Sequence, residues 1–151
     1  MDKSIIDVFR KIFKRNLESL KTEIALYKDE KQLWKVEKGV TNSAGNLCLH
    51  LIGNLNTFIA AQIGKSGYIR NRELEFTDKN VSRSVLESMI DETINEIEKS
   101  LDQLSIEQLR EEYPRLIAEE KASTEYMLVH LATHLTYHLG QINYHRRLLD
   151  E

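Results

Sequence analysis

The chain has one proline, Pro114, one cysteine, Cys48, and six glycines in 151 residues. So few helix breakers leave long stretches free to stay helical. A lone cysteine excludes an internal disulfide framework and fits a reducing compartment. No apolar run approaches the ~20 residues that a membrane span needs. The opening, MDKSIIDVFRKIFKRN, interrupts its apolar residues with charge every two or three positions, so no signal-peptide core is expected. No excess of positive charge is present either: 21 Lys and Arg face 24 Asp and Glu, for a formal charge of -3. The basic stretch KSGYIRNR, Lys65 to Arg72, is too short to form a nucleic-acid footprint. These absences predict a cytoplasmic protein with neither nucleic acid nor membrane as a partner. Its length suits one domain, 1-151, with a real core.

What the chain does have is helical periodicity. From about Ser4 to Lys28, Ile5, Val8, Phe9, Ile12, Phe13, Leu17, Leu20, Ile24 and Tyr27 recur at three- and four-residue steps. TNSAGN, Thr41 to Asn46, offers N-cap side chains for a second helix reaching about Ile63. A third is expected near Ser84, where Ser84 and Glu87 suit a capping box, and continues through Leu86, Ile90, Ile94, Ile97 and Leu101. The fourth opens at Ser123 or Thr124 and reaches about Leu149. No segment alternates with period two, so the expected class is all-α. The link Gly64 to Arg83 is about twenty residues long. Extended chain covers ~3.3 Å per residue, against ~30 Å for a twenty-residue helix. It can therefore run back along the molecule and leave the second and third helices parallel. Ser105 to Ala122 should hold one short helix, SIEQLREEY. The expectation is a four-helix bundle with one long crossover.

Four of the five histidines lie between His130 and Arg147. His134 and His138, four residues apart, stand one turn apart on one stripe. Such a pair can place two imidazole nitrogens on one metal ion. Leu131, Leu135 and Ile142 adjoin it, so the stripe borders the buried face. His50, the histidine outside this segment, borders the apolar arc of Leu47, Leu51 and Phe58. If the second helix packs antiparallel to the last, His50 comes level with His138. Taken singly, His50 reads as well as a hydrogen-bonded, half-buried histidine, and an isolated HxxxH is common on helices. Together, His50, His134 and His138 form a candidate three-histidine site of the open, catalytic type. Three imidazoles suit zinc, nickel, copper and iron alike.

The second-helix stretch NLCLHLIGNLNTFI and the last-helix HLTYHLGQI, of the pattern HxxxHxGQI, resemble the DinB/YfiT-like superfamily of damage-inducible-type bundles. The resemblance covers essentially the whole chain. It implies an up-down-down-up four-helix bundle, a divalent metal, zinc or nickel, on His50, His134 and His138, and a homodimer. It further implies a metal-dependent S-transferase using a low-molecular-weight thiol such as bacillithiol. A metal-dependent hydrolase activating water and a non-enzymatic, stress-related binding bundle are the alternatives. Leu139 departs from the pattern, standing where many members carry arginine.

Catalytic residues stay unassigned, since no glutamate sits inside an HExxH. Gln141 and Asn54 lie near the ligand faces and could orient an imidazole. His130 reads as a solvated edge residue or as a partner of His134. His145 is nearly two turns beyond His138, too far to share an ion. Tyr126, Tyr137 and Tyr144 form a separate stripe, read as core or dimer contact. Arg70 and Arg72 read equally as ligands for a carboxylate and as solvated loop residues. Cys48 reads as core.

Overall fold

Ser43 is the clearest punctuation in the folded chain. Its hydroxyl accepts from the Asn46 N–H and opens α2, Ala44–Leu55. In the computed structural model, which describes residues 4–151, α1 is Ser4–Leu26, followed by a 3-10 turn, Glu30–Trp34. After α2 come a π-helical turn, Asn56–Ala61, then α3, Arg72–Thr77, and α4, Arg83–Asp102. The short α5, Ile106–Arg110, and the long α6, Thr124–Leu149, complete the chain. Among the described residues there is no β-strand, only three isolated bridges. The class is all-α. No helix among these residues is long and apolar enough to cross a membrane.

The apolar periodicity of α1 becomes one buried stripe, with Phe13, Leu17, Leu20 and Ile24 all fully covered. Each such burial contributes ~1.5–3 kcal/mol. Side-chain pairs set the helix directions. Arg10–Asp102, Lys14–Glu98 and Lys21–Asp91 run in opposite order along α1 and α4. Asn16–Thr136, Glu23–Asn143 and Glu23–Arg146 run in the same order along α1 and α6. Asn56 reaches Thr93, and Gly64 lies against Ser100, so α2 and its continuation run along α4 in the same sense. Leu47 shares a cavity wall with Gln141 and His145, while His50 meets His134, so α2 and α6 run oppositely.

Three local expectations shift. The fourth-helix cap is Ser123, as one of the two candidates, but α4 is capped by Ser82 instead of Ser84. Arg83 explains the earlier start. Its guanidinium donates to the carbonyls of Ala25 and Tyr27 at the end of α1 and pins the first turn of α4 there. The capping box forms at Ser105 and Gln108, on α5. The crossover is not plain extended chain, because α3 lies inside it. Asn46, buried on α2, donates through Nδ2 to the carbonyls of Glu75 and Asp78 and fastens α3 to the bundle. The π-helical turn after α2 has Gln62 N–H bonding back to Thr57, a geometry often found beside functional sites.

Candidate metal centre

Two antiparallel helices supply three imidazoles. His50 on α2 is 8% exposed, and His134 and His138 lie one turn apart on α6. Their Nε2 atoms converge: His134 Nε2 lies 3.3 Å from that of His50 and 3.1 Å from that of His138. All three ligand atoms fall within 4.8 Å of one another, so the group could hold a metal ion. Two nitrogens each ~2.0–2.1 Å from a tetrahedral zinc ion stand ~3.3 Å apart, so the spacing fits a cation.

The opposite ring edges show which nitrogens carry protons. Glu75 Oε1 accepts from His50 Nδ1–H at 3.0 Å. A carboxylate only accepts, so His50 Nε2 carries a lone pair. Gln141 Oε1 accepts from His138 Nδ1–H at 2.7 Å, which leaves Nε2 of His138 bare as well. At least two lone pairs therefore face the same point, a donor set that calls for a cation. Burial, and then the neighbouring imidazoles, pull His134 down to about 4. Burial also lowers His50, against the opposing pull of Glu75. The rings of His134 and His50 are thus held toward the neutral form, which a metal ligand needs.

Glu75 comes from α3, on the crossover, and was missed by sequence reasoning. It is 5% exposed. An isolated buried carboxylate is costly. Arg70 offsets that cost with a two-pronged grip, Nε to Oε2 at 2.7 Å and Nη2 to Oε1 at 2.8 Å. Gly53 makes the space, since a Cβ there would collide with Glu75 Oε2. The available signal was the glycine in the interior of α2, nearly one turn from His50 and off the apolar arc, which marks a close approach from another element. Arg70 is therefore engaged inside the protein, 3.4 Å from His50 Nδ1, and is not a free loop arginine. Arg72 lies over the Phe76 ring at 5.5 Å.

The other candidates separate cleanly. Gln141 holds an imidazole, and Asn54 is buried with no partner for Oδ1 among the described residues. His130 is exposed, its ring stacked 6.4 Å from that of His134. His145 points away and bonds to Tyr27 and to the Lys35 carbonyl. Leu139 packs part-buried against the core. Cys48 is fully buried, and burial pushes its thiol up to about 12. Tyr126, Tyr137 and Tyr144 are 59%, 64% and 61% exposed, so this stripe is not core.

Fold and site together define an all-α protein with three clustered imidazoles that could hold a metal ion. The chain belongs to the family described as a protein of unknown function, DUF1572, which matches residues 1–151. No curated protein matches it.

Proposed function

We propose that this is a divalent-metal-binding protein of the DinB/YfiT-like type, acting as a metal-dependent transferase of a low-molecular-weight thiol. The observation that carries the reading is the convergence of the His50, His134 and His138 Nε2 atoms, two of them bare toward the same point. The helix pairings support an up-down-down-up bundle over one domain, 1-151, with α3 inside the long crossover between α2 and α4. That is the architecture the resemblance implies.

A divalent ion held there, zinc or nickel, would supply the Lewis acidity that favours ionisation of a thiol or of water. The chain's own residues do the positioning. Glu75 and Gln141 fix two imidazole rings from behind. Glu75 is occupied by Arg70 and His50 and so is not free as a general base. A cavity of about 280 Å³ adjoins the centre and shares Gln141; Val40, Leu47, Tyr144 and Leu148 give it apolar walls, and no charged side chain lines it. It offers room for the uncharged part of an electrophile.

The exposed stripe of α6 supports a homodimer as well. Tyr137, Tyr144 and Leu148 lie along it, and the Cβ position of Gly140 meets nothing within 4 Å. Sedimentation at micromolar concentration should give twice the monomer mass.

The deciding experiment is elemental analysis of the purified protein, followed by conjugation assays with several thiols and one reactive electrophile, with and without the metal found. Turnover that requires both metal and thiol supports the transferase. Hydrolysis that added thiol inhibits overturns it in favour of water activation. Bound metal with neither activity leaves a stress-related binding bundle.

A further inference from the structure

Two buried polar atoms, Asn54 Oδ1 on α2 and His134 Nδ1 on α6, have no partner among the described residues. They are chemically complementary. An imidazole Nδ1–H donates and an amide oxygen accepts. Burying either one unpaired is unfavourable, so two of complementary type call for an explanation.

Metal binding supplies one. For His134 Nε2 to offer a lone pair beside those of His50 and His138, its proton must sit on Nδ1. That nitrogen then becomes a buried donor. A ligating histidine almost always gives its second N–H to an acceptor. His50 has Glu75 and His138 has Gln141 in that role, while His134 has none. The helix register names the candidate. Because α2 and α6 run oppositely, moving from Leu47 to His50 along α2 moves the facing position from Gln141 and His145 back to His138 and His134. One more turn along α2 brings Asn54 to the level of His134. Asn54 is 9% exposed, so water cannot readily take the place of a protein partner.

We propose that Asn54 is the positioning residue of the third ligand: its side-chain oxygen accepts His134 Nδ1–H when the three imidazoles hold a metal ion. The inference rests on the metal-site reading and extends it to a residue that does not touch the ion. Asn54 fixes the tautomer of His134, as Glu75 and Gln141 fix those of His50 and His138. The centre then has one acceptor behind each ring, a carboxylate and two amides, drawn from α3, α2 and α6.

The test compares wild type with Asn54→Leu, which keeps the branching and heavy-atom count and removes the acceptor, and with Asn54→Asp, which restores one. Zinc affinity is measured by chelator competition, and melting of the metal-free forms is followed in parallel. The expected result is opposite signs for Asn54→Leu: zinc affinity falls by about 10–100-fold, while the metal-free melting temperature holds or rises, because an unpaired polar atom has gone. Asn54→Asp should recover most of the affinity. A merely structural Asn54 would lower the melting temperature and leave affinity alone. Equal zinc affinity in wild type and Asn54→Leu overturns the inference while the site stands, as does failure of Asn54→Asp to rescue. Wild type that binds neither zinc nor nickel overturns the site and this inference together.

Discussion

His145 and the trio of His50, His134 and His138 are drawn from the same interior, yet their surroundings divide them. His145 is 5% exposed, and both its nitrogens are used. Nε2–H donates to the Lys35 carbonyl at 2.8 Å, which leaves Nδ1 to accept from Tyr27 O–H at 2.7 Å. It is a crosspiece joining α1, α6 and the loop after the 3-10 turn. In the trio, protein groups engage the outer edges of two rings, and the inner Nε2 atoms meet only one another. A histidine saturated by its own protein is structural. Histidines held from behind and left bare in front are arranged for something from outside.

The sharpest way to break this comparison is to remove one imidazole from each group. His138→Ala should abolish stoichiometric metal binding, since two ligands remain on what was a three-ligand centre, and helix content by circular dichroism should stay near wild type. His138 is only part-buried on α6, so little packing is lost. Undiminished affinity in that variant would sink the site. Next in size is Glu75→Gln, which keeps an acceptor for His50 Nδ1–H but removes the charge that Arg70 grips. Zinc affinity should fall by roughly tenfold or more, measured by the same chelator competition. An unchanged constant would mean that Glu75 is there for Arg70 alone.

On the saturated side, Tyr27→Phe removes the O–H that His145 accepts and leaves a buried ring nitrogen unpaired. The expected cost is about 1–3 kcal/mol of stability with zinc affinity unchanged, read from urea unfolding beside a zinc titration. Loss of affinity without loss of stability would show that the two groups of histidines are coupled, and the division drawn between them would fail.

How much of this is legible in the chain depends on range. The four long helices follow from apolar periodicity, and the caps at Ser43 and Ser123 from local chemistry, because both signals act within a turn or two. His134 and His138 are four residues apart, so helix geometry alone puts them together. His50 needed the antiparallel pairing of α2 and α6, a tertiary fact that the sequence permits without requiring. Glu75 was out of reach for a further reason. It sits on a helix of six residues with no apolar period to announce it, held by carbonyl contacts from Asn46, which is 29 residues before Glu75 in the chain but adjacent in space. The α4 start at Ser82 was hidden in the same way, since Arg83 answers carbonyls at the end of α1 that no local pattern reveals.

The smallest effect, and the one that sharpens the comparison furthest, is pH. Burial lowers the pKa of His145, His50 and His134. A folded-state pKa below the unfolded value of ~6.5 means that the unfolded chain takes up protons first as pH falls. Stability from these groups is therefore intact above ~6.5 and is lost as pH drops from there toward the folded values, by at most about 1.4 kcal/mol per pH unit for each histidine. Metal-free protein should show a flat melting temperature above neutrality and a decline below it. His145→Gln should reduce the slope by up to one proton and do the same in the presence of zinc. His134→Gln should also reduce it in the metal-free protein and reduce it further with zinc, because zinc-loaded wild type draws its extra stability from neutral imidazoles and loses that gain steeply in acid, whereas the variant has no such gain to lose. Melting curves from pH 5 to 8, with chelator and with excess zinc, separate the two slopes. Identical slopes for the two variants under both conditions would mean that all the buried histidines serve the fold alone.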